Sequence, residues 1–129
     1  MVSKIDNAVM NCANFLLANT DKYINDIVFV KVGNSKMNAQ FFHKLEESLN
    51  NYQSLEKTDS SFYGDALKSP KIHYSENGLE YPDTQLMVRK YKKVILIVEE
   101  FVAKNDQLLK SQKIVRQLSS DVIGVIYVS

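Results

Sequence analysis

The last third of the chain, Pro82 to Ser129, reads PDTQLMVRKYKKVILIVEEFVAKNDQLLKSQKIVRQLSSDVIGVIYVS. Pro82 opens a short helical pattern, and Val94 to Val98 is an unbroken apolar run. From about Lys104 to Leu118 the apolar residues recur at helical spacing, and Val122 to Val128 is a second apolar run. Two β-branched runs with no polar alternation must be buried on both faces, and a helix between them supplies the crossover that parallel pairing needs. The stretch therefore predicts a parallel βαβ unit and an α/β fold.

Toward the N-terminus the same grammar continues. Ile27 to Val32 (IVFVKV) is a β-branched strand, apolar on both faces, which argues for a central position. Gly33, Asn34 and Ser35 break it, and a helix follows from about Lys36 to Asn50 with Met37, Phe41, Phe42, Leu45 and Leu49 on one face. Before that strand, Ser3 is placed to cap a helix in which Ile5, Ala8, Val9, Cys12, Ala13, Leu16 and Leu17 recur at helical spacing to about Asn19. Asn51 to Pro70 is polar and reads as a long loop, Lys71 to Tyr74 as a weak strand, and Glu76 to Gly78 as a turn. The order predicts a three-layer α/β domain over residues 1–129. Its mostly parallel sheet has about four strands, with helices on both faces. Ligands of such sheets sit at the C-terminal strand ends, here near Gly33 to Asn38, Ser75 to Asn77 and Glu99 to Lys104.

Composition narrows the function classes. The 129 residues are 45% hydrophobic, and Lys plus Arg (16) nearly balance Asp plus Glu (15). A net charge of +1 gives no general attraction to nucleic acid or anionic membrane. One cysteine, Cys12, and two histidines, His43 and His73, assemble neither an internal disulfide nor a structural metal set. The opening MVSKIDNAVMNCANFLLANTD is interrupted by polar residues too often for a signal peptide or a membrane span, so a cytoplasmic protein is expected.

Taken in order, several segments resemble the cytoplasmic ATPase domain of bacterial tyrosine kinases (BY-kinases), relatives of the MinD/ParA P-loop ATPases that serve capsule and exopolysaccharide synthesis. Where that family has an acidic-x-x-Arg-x-x-Arg-Thr-Asn helix, this chain has Asp6, Val9, Cys12, Ala13 and Asn14. At the P-loop it has VKVGNSKMNAQFF. PDTQLMVRKYKKVILIVEEF, NDQLL and VIGVIYV are similar to the family's later helix and strand segments.

The departures are chemical. A P-loop needs several glycines so that backbone N–H groups wrap the phosphates, a lysine to reach them, and a hydroxyl for Mg²⁺. In this chain Gly33 is the loop's single glycine, Ser35 precedes Lys36 at the family's lysine position, and Met37 replaces the hydroxyl. The family's Walker B aspartate position falls on about Tyr74 or Ser75. The acidic strand end that the family has after its first helix has no equivalent in Asn51 to Pro70. The two helix arginines tied to ring assembly have become Val9 and Cys12, and the family's tyrosine-rich C-terminal tail has no counterpart. Phosphoryl transfer depends on positioning and charge neutralisation, so the resemblance implies a pseudo-ATPase or pseudokinase with a degenerate P-loop and no cofactor. Gly33, Ser35 and Lys36 are then a relic nucleotide site. The expected role is a non-catalytic interaction or regulatory protein of exopolysaccharide (capsule- or holdfast-type) biosynthesis or export. It would dock a membrane polysaccharide co-polymerase, a kinase-like protein or a second copy of itself, and a partner would hold it at the inner face of the membrane. The competing expectation is a nucleotide-dependent enzyme with an atypical phosphate-binding loop at Gly33 to Asn38.

Other residues invite chemistry and have simpler readings beside it. Lys36 in a helix's first turn reads as a phosphate ligand or as a solvated lysine. Cys12 on an apolar face reads as a buried inert thiol. Glu99 and Glu100 end a strand where catalytic acids often sit, yet charged residues commonly mark a strand's exit into a loop. Tyr52, Tyr63, Tyr74 and Tyr81 read as surface-loop tyrosines. Arg89, Lys90, Lys92 and Lys93 form a basic cluster that is either a solvated helix end or a docking patch for an acidic partner, and with Val9 and Cys12 they are the candidate partner-binding residues.

Overall fold

Ile27 to Val30 and Val94 to Val98 are all buried, which requires cover on both faces of the strands that carry them. A computed structural model describes residues 4–18, 26–35, 39–59, 71–99 and 104–128. It contains α1 (Lys4–Ala18), β1 (Asp26–Lys31), α2 (Ala39–Asp59), β2 (Lys71–Tyr74), α3 (Pro82–Tyr91), β3 (Lys93–Glu99), α4 (Asn105–Gln117) and β4 (Asp121–Val128). The fold is α/β, with one parallel four-stranded sheet flanked by helices. The strand order is β2-β1-β3-β4. This is the flavodoxin-like 2-1-3-4 order of doubly wound sheets.

The expected loop from Asn51 to Pro70 is corrected in its first half, because α2 continues to Asp59. Residues 51–59 (NYQSLEKTD) hold no proline or glycine, and Gln, Leu, Glu and Lys extend a helix readily, so polarity there does not mark a break. The predicted helix start at Lys36 to Met37 lies outside the described residues. No described helix is long and apolar enough to cross a membrane.

The chain divides into two compact units. The first holds α1 and α2, which pack on each other. Phe41 and Phe42 meet edge to face with ring centroids 5.3 Å apart, and Lys44 Nζ reaches Asp6 Oδ1 at 2.8 Å. The second unit holds the sheet with α3 and α4. Val28 pairs with Val94 and Val30 with Leu96 across β1 and β3. With Leu79, Val88, Val98 and Val115, these residues make one continuous apolar cluster on the face that α3 and α4 cover. Each such side chain contributes about 1.5–3 kcal/mol on burial.

The helix ends fix the unit's N-terminal edge. Pro82 and Asp83 open α3 while Arg89 and Lys90 close it, matching charge to the helix dipole. Lys92 then turns left-handed (φ 69°) and returns its N–H to Val88 O. After α4, Ser119 is also left-handed (φ 59°), and buried Ser120 donates its hydroxyl to Val88 O at 2.8 Å. Asp121 N–H donates to Lys92 O at 2.8 Å, so the ends of both helices start β4 beside β3.

Candidate functional site

In this strand order the chain moves outward from β1 to β2, then returns across β1 to place β3 on its other side. The direction reverses between β1 and β3, and outside the C-terminal ends of these two strands lies the position where doubly wound sheets bind ligands. Three loops were expected to build the site: the one after β1, the one after β2 and the one after β3.

The described start of the loop after β1, Val32 to Ser35, is a closed turn. Ser35 N–H donates to Val32 O at 3.1 Å, and Val32 N–H donates to Ile97 O at 2.9 Å. Ser35 is buried, and its hydroxyl accepts the N–H of Glu99 at 2.9 Å, stapling the turn to the end of β3. Gly33 sits at φ +58°, and a Cβ there would run into Gln107 Oε1. That oxygen accepts the N–H of Lys104 at 2.9 Å, which caps α4. Lys104 carries no acceptor with which to return a bond, so Gln107 alone serves this cap. Gly33 is thus favoured as a glycine by its left-handed φ, and the amide of Gln107 fills the space over it, whereas a phosphate cradle keeps that space for the ligand.

The loop after β2 is also folded onto the protein. Ser75 Oγ accepts the N–H of Asn77 at 3.1 Å, and buried Thr84 pairs through its hydroxyl with Ser75 Oγ and Asn77 O, each at 3.1 Å. Gln85 Nε2 donates to Leu79 O at 2.7 Å. Beside these loops lies a cleft of about 350 Å³ whose lining includes Lys31, Gly33, Asn34, Glu80, Gln107 and Lys110. Its charges are mixed in sign. Among the described residues no cluster of three His, Cys, Asp or Glu could hold a metal ion.

The structure brings Ser35 and Glu99 together through the main chain of the latter, while Lys36 and Glu100 lie outside the described residues. Val9 and Cys12, expected on a docking face, are instead buried at 4% and 3% exposure, because they lie on the apolar face of α1. Burial alone pushes the Cys12 thiol from its ordinary 9.0 up to about 12, which leaves it protonated and unreactive. In the basic cluster, Arg89, Lys90 and Lys92 are exposed. Lys93 is half-buried and paired with Asp121 at 3.1 Å. Tyr74 and Tyr81 are exposed; Tyr63 lies outside the described residues.

Sequence reasoning missed the partners of His73. Its Nε2 lies 2.8 Å from Asp26 Oδ1, and its ring stacks on Tyr91 at 3.9 Å between centroids. The three residues come from β2, β1 and α3, and only the adjacency of β2 to β1 could have joined them. Both members of the pair are partly solvated, so the contact adds little to stability.

No protein-family model, no curated protein and no solved structure matches the chain.

Proposed function

We propose that the chain is a non-catalytic binding domain, an interaction or regulatory component of exopolysaccharide synthesis or export, as its resemblance to BY-kinases implies. The observation that carries this reading is the closed turn after β1, in which Ser35 is engaged with Glu99 N–H and Gln107 covers Gly33. Nucleotide chemistry needs those groups open toward the ligand. The strand order adds no function of its own, since unrelated proteins share it.

In this reading the domain is cytoplasmic and is held at the membrane by its partner, a polysaccharide co-polymerase or a kinase-like protein. Arg89, Lys90 and Lys92 are exposed together at the end of α3 and suit an acidic segment of that partner. Charge reversal at these three positions should abolish copurification with the co-polymerase while leaving the fold intact. Unchanged copurification, or none with the parent chain, would remove the partner from the proposal.

The mixed-charge cleft beside Gly33 favours one competing reading, a nucleotide-dependent enzyme with an atypical phosphate loop. Isothermal titration with ATP and ADP, with and without Mg²⁺, separates the two. A binding domain of the proposed kind gives no heat at millimolar nucleotide. Magnesium-dependent binding that Lys36→Ala removes would establish the enzyme reading instead.

A further inference from the structure

β4 is the last strand in the sheet order, and among the described residues nothing pairs with its outer edge. Its inner neighbour β3 is buried from Val94 to Val98, whereas β4 is half-exposed and Tyr127 is 60% exposed. Exposed edges are usually blunted by charges, proline or bulges. β4 has a bulge near its start, where Val94 pairs with Val122 but Ile95 with Gly124, leaving Ile123 as the extra residue. Beyond it, Gly124 to Val128 keeps regular register with β3 through Glu99 and contains neither charge nor proline. A groove of about 400 Å³ runs beside this edge, its lining including Gln112 and Arg116 of α4 and Ile123, Gly124 and Val125 of β4.

We propose that this edge is a homodimer interface, in which β4 pairs antiparallel with β4 of a second copy about a twofold axis at Ile126. The register is set by self-complementarity. Val125 and Tyr127 are two residues apart and therefore share a strand face. An axis at Ile126 puts the Tyr127 ring of each copy opposite Val125 of the other, at the mouth of the groove that Val125 lines. Each strand thus presents both a knob and its hole, as an isologous interface requires, and an aromatic facing a β-branched residue is a favourable cross-strand pair. Gly124 falls opposite Val128 and leaves room for it. The segment is uncharged, so pairing with itself opposes no like charges. Another protein's strand could use the same hydrogen-bonding edge but would have no reason to match a Val-x-Tyr spacing; a second copy matches it automatically. The product is a continuous eight-stranded sheet, and the inference is independent of any nucleotide or polysaccharide partner.

Sedimentation velocity across a concentration series tests it. The full chain should sediment at twice its 14.8 kDa mass at high concentration. Ile126→Lys, which sets two ammonium groups face to face on the axis, should leave a monomer, and Tyr127→Ala should raise the dissociation constant at least tenfold. Leu86→Lys, an exposed position on α3, should change nothing. Because a lysine at Ile126 could unfold the strand, a second variant keeps the test sharp. Directly opposed antiparallel residues have Cα atoms about 4.5–5.5 Å apart, within disulfide range. Ile126→Cys in a Cys12→Ala background should therefore form an intermolecular disulfide on mild oxidation, and Leu86→Cys should not. A chain that remains monomeric throughout, or a dimer that tolerates Ile126→Lys and does not cross-link through position 126, would overturn the proposal.

Discussion

The two ends of the sheet are closed by similar devices, each built from a buried serine and a left-handed residue. At the N-terminal end, Ser120 donates to Val88 O, and the left-handed positions are held by Lys92 and Ser119. At the C-terminal end, Ser35 accepts from Glu99 N–H, and the left-handed position is Gly33. The difference lies in what occupies the space over the turn. Lys92 and Ser119 are exposed with open space over them, while Gly33 lies under the amide of Gln107, which a side chain there would have to displace. The N-terminal end of a doubly wound sheet is ordinarily structural and the C-terminal end ordinarily binds. In this molecule the described turn at the C-terminal end is stapled much as the N-terminal end is, which is the observation that supports the proposal of a non-catalytic domain.

The sharpest way to break that comparison is to put a side chain on each turn. Gly33→Ala should cost about 2–3 kcal/mol: about 1–2 for an L-residue in the left-handed region, and about 1 for the Lys104–Gln107 bond lost when Gln107 swings aside. Urea denaturation measures it. In a Gln107→Ala background the same substitution should cost only the backbone term, so a double-mutant cycle should give a coupling near the value of that bond. Additive effects would mean that Gln107 does not hold the turn.

Ser35→Ala comes next. It leaves the N–H of Glu99 without its acceptor in a half-buried setting, a loss of about 1–3 kcal/mol that is independent of nucleotide. Were Ser35 a phosphate ligand, its replacement would instead change nucleotide affinity with little loss of stability.

How much of this was legible beforehand depended on the kind of signal. Val94 to Val98 announced a strand buried on both faces by its continuous apolar run, and the alternating helices fixed the class; Val122 to Val128 carries the same kind of run yet is half-exposed, because it forms the last strand of the sheet order and run composition does not tell an edge from a centre. Residues 51–59 read as loop because a polar helix and a loop have similar composition when periodicity is weak. At the site, Gly33 was visible as a special residue but its reason was not. The amide that lies over the glycine belongs to Gln107, 74 positions away in the sequence, and a tertiary contact of that kind leaves no local pattern. The staple from Ser35 to Glu99 is equally silent, since a main-chain N–H belongs to every residue type except proline. Val9 and Cys12 were placed on a docking face by resemblance, although the helical periodicity had already assigned them to the apolar face.

Cys12 gives the comparison a reference point, because it is a buried group perturbed by desolvation alone. Its folded pKa, about 12, lies above the unfolded 9.0, so above pH 9 the unfolded chain binds fewer protons than the folded one and stability falls as pH rises toward 12. By pH 10 the loss from this group should be about 1.4 kcal/mol. Lysines and tyrosines titrate in the same range, so the measurement is the difference in pH slope between the parent chain and Cys12→Ala. A thiol reagent should label Cys12 only at the unfolding rate. Rapid labelling of the native chain would place the thiol at the surface.

The smallest expected effect has the opposite sign. Lys92→Gly relieves a left-handed lysine at the end of α3 and should stabilise the chain by about 0.5–1 kcal/mol, the reverse of the loss at Gly33. The same substitution removes one of the three exposed cations proposed to meet an acidic partner. If the cluster docks a partner, Lys92→Gly raises the unfolding midpoint and weakens copurification together, whereas Lys92→Gln weakens copurification without the gain in stability. If both variants bind as the parent does, the cations merely solvate the helix end and complement its dipole, and the N-terminal end of the sheet is structural throughout.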